Sequence, residues 1–512
     1  MNYAALLNAM LPETVLEVAA LLVIIVDLGF LRNAAPKMRV AASAFLGIAG
    51  CGVALWAVSI AGPFSYGNEL LLAAGGSAGV AQVTILILTA LTLFLLVDSE
   101  FTRHAGEYVS VVLMAAAGGL LISGAQDLLV IFAGLELLSL GLYILTAFAK
   151  HSGKSAEAAM KYYLFGGMSA AFLLFGFSYL YGLSGSTYLP KVVLGTYLAS
   201  ANGGTPLLCL ALVMVAAGLG FKVAAVPFHL WAPDTYEGAP APAAAFIASV
   251  SKVASFALLI SISNVALHYT QSLHLIRFIV TAPVTAAPVR ATAGIPVAWP
   301  LILTILSAAS MIFGNLAALA QTSVRRLLAY SAIAHAGYIL LGLAYFSPSP
   351  MSAEAILYYI ITYGLTTIGA FGAVGVVERD TGSDKLDALL GLQKRNPMLA
   401  AVLLVLFLSL AGIPPLVGFW AKFNLFAAVL RVSAGPVSFA LVALAVAFSA
   451  VSLYYYLQVL KRAYVMPAVN QTAIKVHPVT MTTLIAIAAA VLLLGCFPAL
   501  LQSWIAGFYL MM

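Results

Sequence analysis

Apolar residues recur along the chain in stretches of about 20, the length at which a helix crosses a hydrocarbon core roughly 30 Å thick. Polar or proline-containing connectors separate the stretches. A helix that is apolar all round reads as a membrane span, so periodicity within a stretch says little about its buried face. About fourteen spans are expected, beginning near residues 14, 40, 79, 108, 127, 159, 206, 240, 298, 327, 354, 397, 436 and 481. Composition agrees: of 512 residues, 63% are hydrophobic and 8% charged, and the mean hydropathy is +1.08. The expected class is an all-α polytopic membrane protein whose solvent is mostly the lipid bilayer.

A net charge of +6 would point a soluble chain towards nucleic acid. Here basic loops account for it, and no nucleic-acid partner is expected. With loops on alternating sides, one side collects Arg32, Lys37, Arg39, Arg103, Lys150, Lys154, Arg325, Arg326, Arg379, Lys385, Lys394, Arg395, Lys461, Arg462 and Lys475. The other holds Lys191, Arg277, Arg290 and Arg431. This bias puts the first side in the cytoplasm and both termini on the external, periplasmic side of the inner membrane. Glu13, Glu17 and Asp27 lie in or beside the first apolar run and no basic stretch precedes it, so that run is expected to remain as a helix rather than be cleaved as a signal peptide.

Of the 23 basic residues, four belong to neither set of loops: Lys161, Lys222, Lys252 and Lys422. An ammonium at bilayer depth costs about 3 kcal/mol even on lenient insertion scales, which marks such residues as functional candidates. Lys222 lies in VAAGLGFKVAAVPFHLW and Lys422 in SLAGIPPLVGFWAKFNLF, each beside prolines that must break its helix. Broken helices at related positions point to an inverted-repeat transporter with its site where unwound backbone lines a wet cavity. The expected organisation is three leading helices over 1–107, a first inverted five-helix repeat over 108–262, an external linker over 263–297 with Pro283, Pro288 and Pro296, a second repeat over 298–460, and a C-terminal helix over 461–512.

Glu136, in VIFAGLELLSLGLYIL, is the only carboxylate well inside a central span, and to stay charged it needs a cation. At about 4 Å and an effective dielectric near 20, attraction to Lys222 is worth about 4 kcal/mol, enough for a switch. Released from Glu136, Lys222 can approach Lys252, and like-charge repulsion then expels a proton. His335, in AYSAIAHAGYILLGL, can relay protons in either direction, with Ser331 and Tyr338 as candidate hydrogen-bond partners. Lys422 is the candidate acceptor on the second half. Lys161 stands at the start of its span, where it can snorkel to the interface or serve the buried path. A static Glu136–Lys222 pair holding two spans together is the plain structural alternative.

Other features yield less. Cys51, Cys209 and Cys496 are scattered in apolar segments and supply no metal-ligand set. GLGFK is a lone GxG inside a span, and no nucleotide, flavin, haem or metal site is expected, hence no cofactor in this chain. His229, Asp234 and Glu237, in PFHLWAPDTYEGAPAP, read as a proton entrance over the broken helix in preference to a metal site. Tyr162, Tyr163 and the run Tyr454 to Tyr456 read as interfacial or packing aromatics.

GLGFKVAAVPFHLWAPDTYEGAPAPAAAFIASVSK resembles the signature of the antiporter-like membrane subunits of respiratory complex I. MIFGNLAALAQTSVRRLLAYSAIAHAGYILLGL and AGIPPLVGFWAKF resemble the subunit N branch in particular. The resemblance covers nearly the whole chain. It implies a fourteen-helix core of two inverted five-helix repeats, with Glu136 and Lys222 as modulating pair, Lys252 as central donor, His335 as connecting relay and Lys422 as outlet. Lys161 also matches a lysine of that pattern. The subunit M branch carries glutamate where this chain has Lys422, and the subunit L branch adds a long lateral helix for which no room is expected after residue 501. Two departures stand out, a longer linker at 263–297 and Arg325 in place of a common lysine. The implied function is proton translocation in the membrane arm of an NADH:quinone oxidoreductase, beside subunit M and small membrane subunits, with redox chemistry and quinone reduction in other chains. The alternatives are a Na+/H+ antiporter subunit of a multi-subunit exchanger, and a scaffold whose polar axis is a relic.

Overall fold

A computed structural model describes residues 3–66, 69–99, 101–280, 295–347, 349–468 and 472–510. The chain opens with α1 (Tyr3–Ala9) and α2 (Leu11–Ile25), the latter continuing as a π-helical turn to Phe30. Next come α3 (Pro36–Ile60), a hairpin of β1 (Phe64–Tyr66) and β2 (Glu69–Leu72), α4 (Gly76–Leu96), α5 (Ala105–Gly124) and α6 (Leu128–Thr146). α7 (Gly153–Ser184), the short α8 (Leu189–Ala199), α9 (Thr205–Val223), α10 (Trp231–Gly238) and α11 (Ala241–Val280) follow. The remaining part comprises α12 (Ile295–Leu319), α13 (Val324–Ala344), α14 (Pro350–Thr381), α15 (Leu392–Arg395), α16 (Pro397–Ala411), α17 (Val417–Val432), α18 (Pro436–Tyr464), α19 (Pro478–Cys496) and α20 (Pro498–Leu510).

The boundaries follow from local chemistry. Asp127, Ser152, Ser323 and Asn396 cap α6, α7, α13 and α16 by accepting from backbone N–H groups of the first turn, which otherwise lack partners. Proline, preset for a first helical turn, opens α3, α14, α16, α18 and α19. Close packing relies on small residues. A Cβ at Gly314 would lie 2.6 Å from the Ala334 amide nitrogen, and one at Gly337 2.7 Å from that of Met311, so α12 and α13 pack backbone to backbone.

Among the described residues, twelve helices are long and apolar enough to cross a membrane, or thirteen if the pair Tyr3–Ala9 and Leu11–Phe30, bent by 75°, is one span. The remaining expected crossing, near 397, falls on α16, whose 15 residues are followed by a break and α17. Two features depart from the sequence reading. The hairpin β1–β2 was not expected, because strands of three and four residues carry too little pattern to read. The linker expected from 263 begins as helix instead, since α11 runs on to Val280. Pro283, Pro288 and Arg290 lie outside the described residues.

The most fully enclosed spans are α11, α13, α5 and α14. α11 and α14 pack on one another and on α13, and this centre carries Lys252 and His335.

Candidate functional site

Two helix breaks frame the site. α9 ends at Val223 because Ala224 adopts φ 59°. That left-handed conformation costs a residue with a Cβ about 1–2 kcal/mol. Neighbours satisfy the freed backbone: Trp231 Nε1 donates to the Phe221 carbonyl at 2.9 Å, and Ser310 Oγ on α12 accepts the Val226 N–H at 2.9 Å. α16 ends at Gly412, φ 88°, where glycine bears the same conformation without penalty. Its loose turn is held by Ser409 Oγ, which accepts the Gly418 N–H at 3.2 Å.

Lys222 ends the first half of one broken span and Lys422 sits on α17, just past the second break. Both are buried, as is Lys252 within α11, at 6%, 6% and 3% relative exposure. None of the three forms an ion pair with a carboxylate among the described residues; each is held by oxygen dipoles. Lys222 donates to Ser139 Oγ on α6, which in turn donates to the Leu135 carbonyl. Lys252 donates to the Ala332 carbonyl on α13 at 2.5 Å. Lys422 donates to the Leu410 and Ala411 carbonyls at 3.1 and 2.9 Å and to Ser449 Oγ on α18 at 2.9 Å. The two carbonyls belong to the C-terminal end of α16, the negative end of its dipole, which favours a cation.

His335 stands between Lys252 and Lys422, within electrostatic reach of both. Its Nδ1 lies 2.8 Å from the Tyr359 hydroxyl and its Nε2 3.4 Å from that of Tyr456. The Tyr363 ring fills the space between, 4.9 Å from the imidazole and 5.8 Å from the Lys252 ammonium. Tyr338 lies under Lys422, with Nζ 5.6 Å from its ring. Beside His335, a cavity of about 10 Å³ is lined by Tyr359, Thr362, Thr366, Ser409 and Leu410 among others. That is close to the space one water needs, and the lining offers the polar partners such a water requires.

The proposed hydrogen-bond partners of His335 need correction. Ser331 bonds Tyr456, which then reaches the imidazole. Tyr338 instead accepts from Asn315 Nδ2 at 3.1 Å, and Asn315 Oδ1 accepts from Tyr455 at 3.1 Å. The tyrosine run read as interfacial or packing aromatics divides: Tyr454 is exposed, whereas Tyr455 and Tyr456 are buried and hydrogen-bonded. Glu136 is half-buried, one turn before Ser139 on α6, and lies within electrostatic reach of Lys222. In this conformation Ser139, not Glu136, holds the ammonium.

Lys161 does not join the buried row. Its half-exposed ammonium pairs with Glu157 and Asp234, each at 2.7 Å. Arg326 adds Asp234 at 2.6 Å and Glu237 at 2.9 Å, and Lys154 reaches Glu237 at 3.3 Å. Burial pushes the Asp234 carboxyl up, but hydrogen bonds and charge from Lys161 and Arg326 outweigh it and hold the group below the usual carboxylate range. His229 packs edge-on to Phe313 at 4.7 Å; among the described residues it forms no ion pair with these acids, and no group of three His, Cys, Asp or Glu could hold a metal. Arg325 uses its fork: one nitrogen reaches Glu378 at 3.1 Å and another the Ala239 carbonyl between α10 and α11.

The family model for the NADH:quinone oxidoreductase/Mrp antiporter transmembrane region matches residues 125–287 and 290–449. The chain belongs to this antiporter family. Among antiporter-family proteins it is 46% identical to the NADH-quinone oxidoreductase subunit N 2 of Acidobacterium capsulatum, covering 98% of this chain and 99% of that one. It is 39% identical to subunit N 1 of Roseiflexus castenholzii over 84% of this chain and 78% of that one. A chain of respiratory complex I from Thermus thermophilus, solved with bound aureothin, superimposes with a TM-score of 0.74 at 32% identity, covering 96% of this chain and 98% of the other. A chain of an Mrp complex from Dietzia sp. gives a TM-score of 0.77 at 21% identity over 99% and 97%; at that identity the likeness shows the antiporter fold alone. The relatives place the chain with subunit N.

The sequence singles out the buried lysines and His335 but not the oxygens beside them: Ser139, Ala332 O, Tyr359, Tyr456, Ser449 and the α16 carbonyls. The ligands of Lys222 and Lys252 lie 83 and 80 positions away, and serines and tyrosines are too common in these spans to stand out.

Proposed function

We propose that the chain translocates protons along Glu136, Lys222, Lys252, His335 and Lys422 as a subunit N-type component of the membrane arm of a proton-translocating NADH:quinone oxidoreductase. The observation that carries this reading is the set of three buried lysines held by hydroxyl and carbonyl oxygens, with His335 between two of them. A buried ammonium without a carboxylate gives up its proton readily to a neighbouring base, and an imidazole can pass one on through either nitrogen.

When Lys222 turns from Ser139 to Glu136, the pair closes; when it turns away, its charge acts on Lys252 across low-dielectric protein. The proton leaving Lys252 crosses to His335 alongside Tyr363, over a gap that a water must bridge, and from His335 to Lys422 by way of the small cavity beside Leu410. Lys161, in its ion-pair cluster with Asp234 and Arg326, serves the cytoplasmic approach. The chain itself holds no redox centre or cofactor; electron transfer and quinone reduction occur in other subunits. It sits beside an antiporter-like subunit M and small membrane subunits, with both termini outside. The inverted repeats at 108–262 and 298–460, and fourteen crossings with α16 and α17 together forming one, belong to the same reading.

The test is Lys252→Ala in the assembled complex reconstituted in vesicles. Proton uptake coupled to quinone reduction is expected to fall by about two orders of magnitude or more, the usual contribution of a positioned proton donor. Undiminished pumping by an assembled variant would refute the relay.

A further inference from the structure

A second cavity, about 480 Å³, opens between α14, α17 and α20. It lies at the end of the molecule where α14 begins, opposite the basic end marked by Arg379. Glu354 and Tyr358 line it from α14, Asn424 and Arg431 from α17, and Gln502 and Ser503 from α20. Tyr358 is 1% exposed, yet its hydroxyl has no hydrogen-bond partner among the described residues, and Asn424 Nδ2 is also buried without one among them. Buried polar groups are seldom left unpaired, so these two mark places for water.

Glu354, Tyr358, Thr362 and Thr366 are spaced four residues apart on α14, so they form one stripe along its length. Its inner members, Thr362 and Thr366, line the small cavity beside His335. Its outer members line the large one. Side chains on a helix lean towards its N-terminus, the end at which Glu354 sits one turn before Tyr358, and both line the large cavity. Tyr359, the residue after Tyr358, holds His335 Nδ1.

We propose that α14 carries a second proton outlet, leading from His335 past Thr362 and Tyr358 to Glu354 in the wet vestibule, parallel to the route through Lys422. Its cargo is a hydrated proton passed along water and hydroxyls, and it rests on His335 carrying protons as proposed above. Glu354 is the proton-binding group at the mouth. The groups facing it are Tyr358 on its own helix, Arg431 from α17 and Tyr509 from α20. Arg431 is turned to the Met351 sulfur at 3.0 Å and forms no ion pair with Glu354 among the described residues, so the carboxylate remains open to a proton.

The experiment uses the assembled complex in vesicles, with pumping measured against the pH of the compartment that receives the protons. Lys422→Ala is expected to retain measurable pumping through the α14 route. Adding Tyr358→Phe or Glu354→Gln should lower that residue of activity by about tenfold, the effect of one lost hydrogen-bonding or charge-focusing step. Glu354→Gln should also flatten the dependence on receiving-side pH, and Glu354→Asp should restore it, neither of which a packing role would do. Complete loss in Lys422→Ala, or residual pumping indifferent to Glu354→Gln and Tyr358→Phe, overturns the second outlet. Lys252→Ala lies upstream of both routes, so its result tests the relay separately.

Discussion

Lys222, Lys252 and Lys422 differ in how fully their hydrogen-bonding capacity is met. An ammonium has three donors; Lys422 meets three oxygens, whereas Lys222 and Lys252 each meet one side-chain or main-chain oxygen among the described residues. Lys222 is thus loosely held, as a side chain must be if it is to alternate between Ser139 and Glu136. Ser139→Ala removes the competing acceptor, and a lost hydrogen bond to a charged group is worth about 1.5–3 kcal/mol. The expected outcome is a Lys222 fixed on Glu136 and proton uptake by reconstituted complex slowed by about tenfold or more. Uptake at the unaltered rate would show that Ser139 is not the alternative seat. Buried charges were legible in the sequence because charge in an apolar run stands out against its neighbours. Their oxygen partners were not, because a serine or tyrosine in a span looks the same whether it bonds its own helix, as Thr84 does at 2.7 Å, or a lysine on another.

The elements that matter most at the next scale are the two interrupted helices. Prolines beside Lys222 and Lys422 announced both interruptions, since a proline removes an N–H and crowds the preceding turn. What sequence did not reveal is that the breaks are closed differently, by Ala224 in one and Gly412 in the other. At Gly412 a Cβ would lie 3.1 Å from Lys422 Cδ and 3.2 Å from its Nζ, on a backbone with φ 88°. Gly412→Ala should therefore destabilise the protein by about 1–2 kcal/mol from the backbone alone, with further loss as Lys422 is pushed off its carbonyls. Thermal unfolding of the purified protein would show this as a lowered midpoint. A midpoint equal to that of the parent would mean that the turn tolerates a side chain and that its tightness around Lys422 is unimportant.

Across the whole molecule, span positions were readable because the hydrocarbon core imposes a fixed length on every crossing; each expected start falls within a few residues of a helix start. The hairpin and the continuation of α11 were not, as neither is imposed by the bilayer. The two halves are tied at one end by Asp234, which binds Lys161 on α7 and Arg326 on α13. Folding holds the Asp234 carboxyl below its ordinary range, so its contribution is complete above about pH 4 and is lost as pH falls below that value. Asp234→Asn should lower the midpoint at pH 7 by about one to three degrees, as expected of a partly exposed cluster. The gap between variant and parent should shrink as pH falls below about 4; a gap that did not shrink in acid would assign the effect to packing.

Lys422 is seated among three oxygens. All three accept from it only while the nitrogen carries three hydrogens. Once it loses one, the two remaining N–H groups can keep the Leu410 and Ala411 carbonyls while the Ser449 hydroxyl turns from accepting to donating to the nitrogen lone pair. Discharge of this lysine and reversal of the Ser449 hydrogen bond are then a single event, so the seat can hold the nitrogen in either protonation state without leaving an oxygen unpaired.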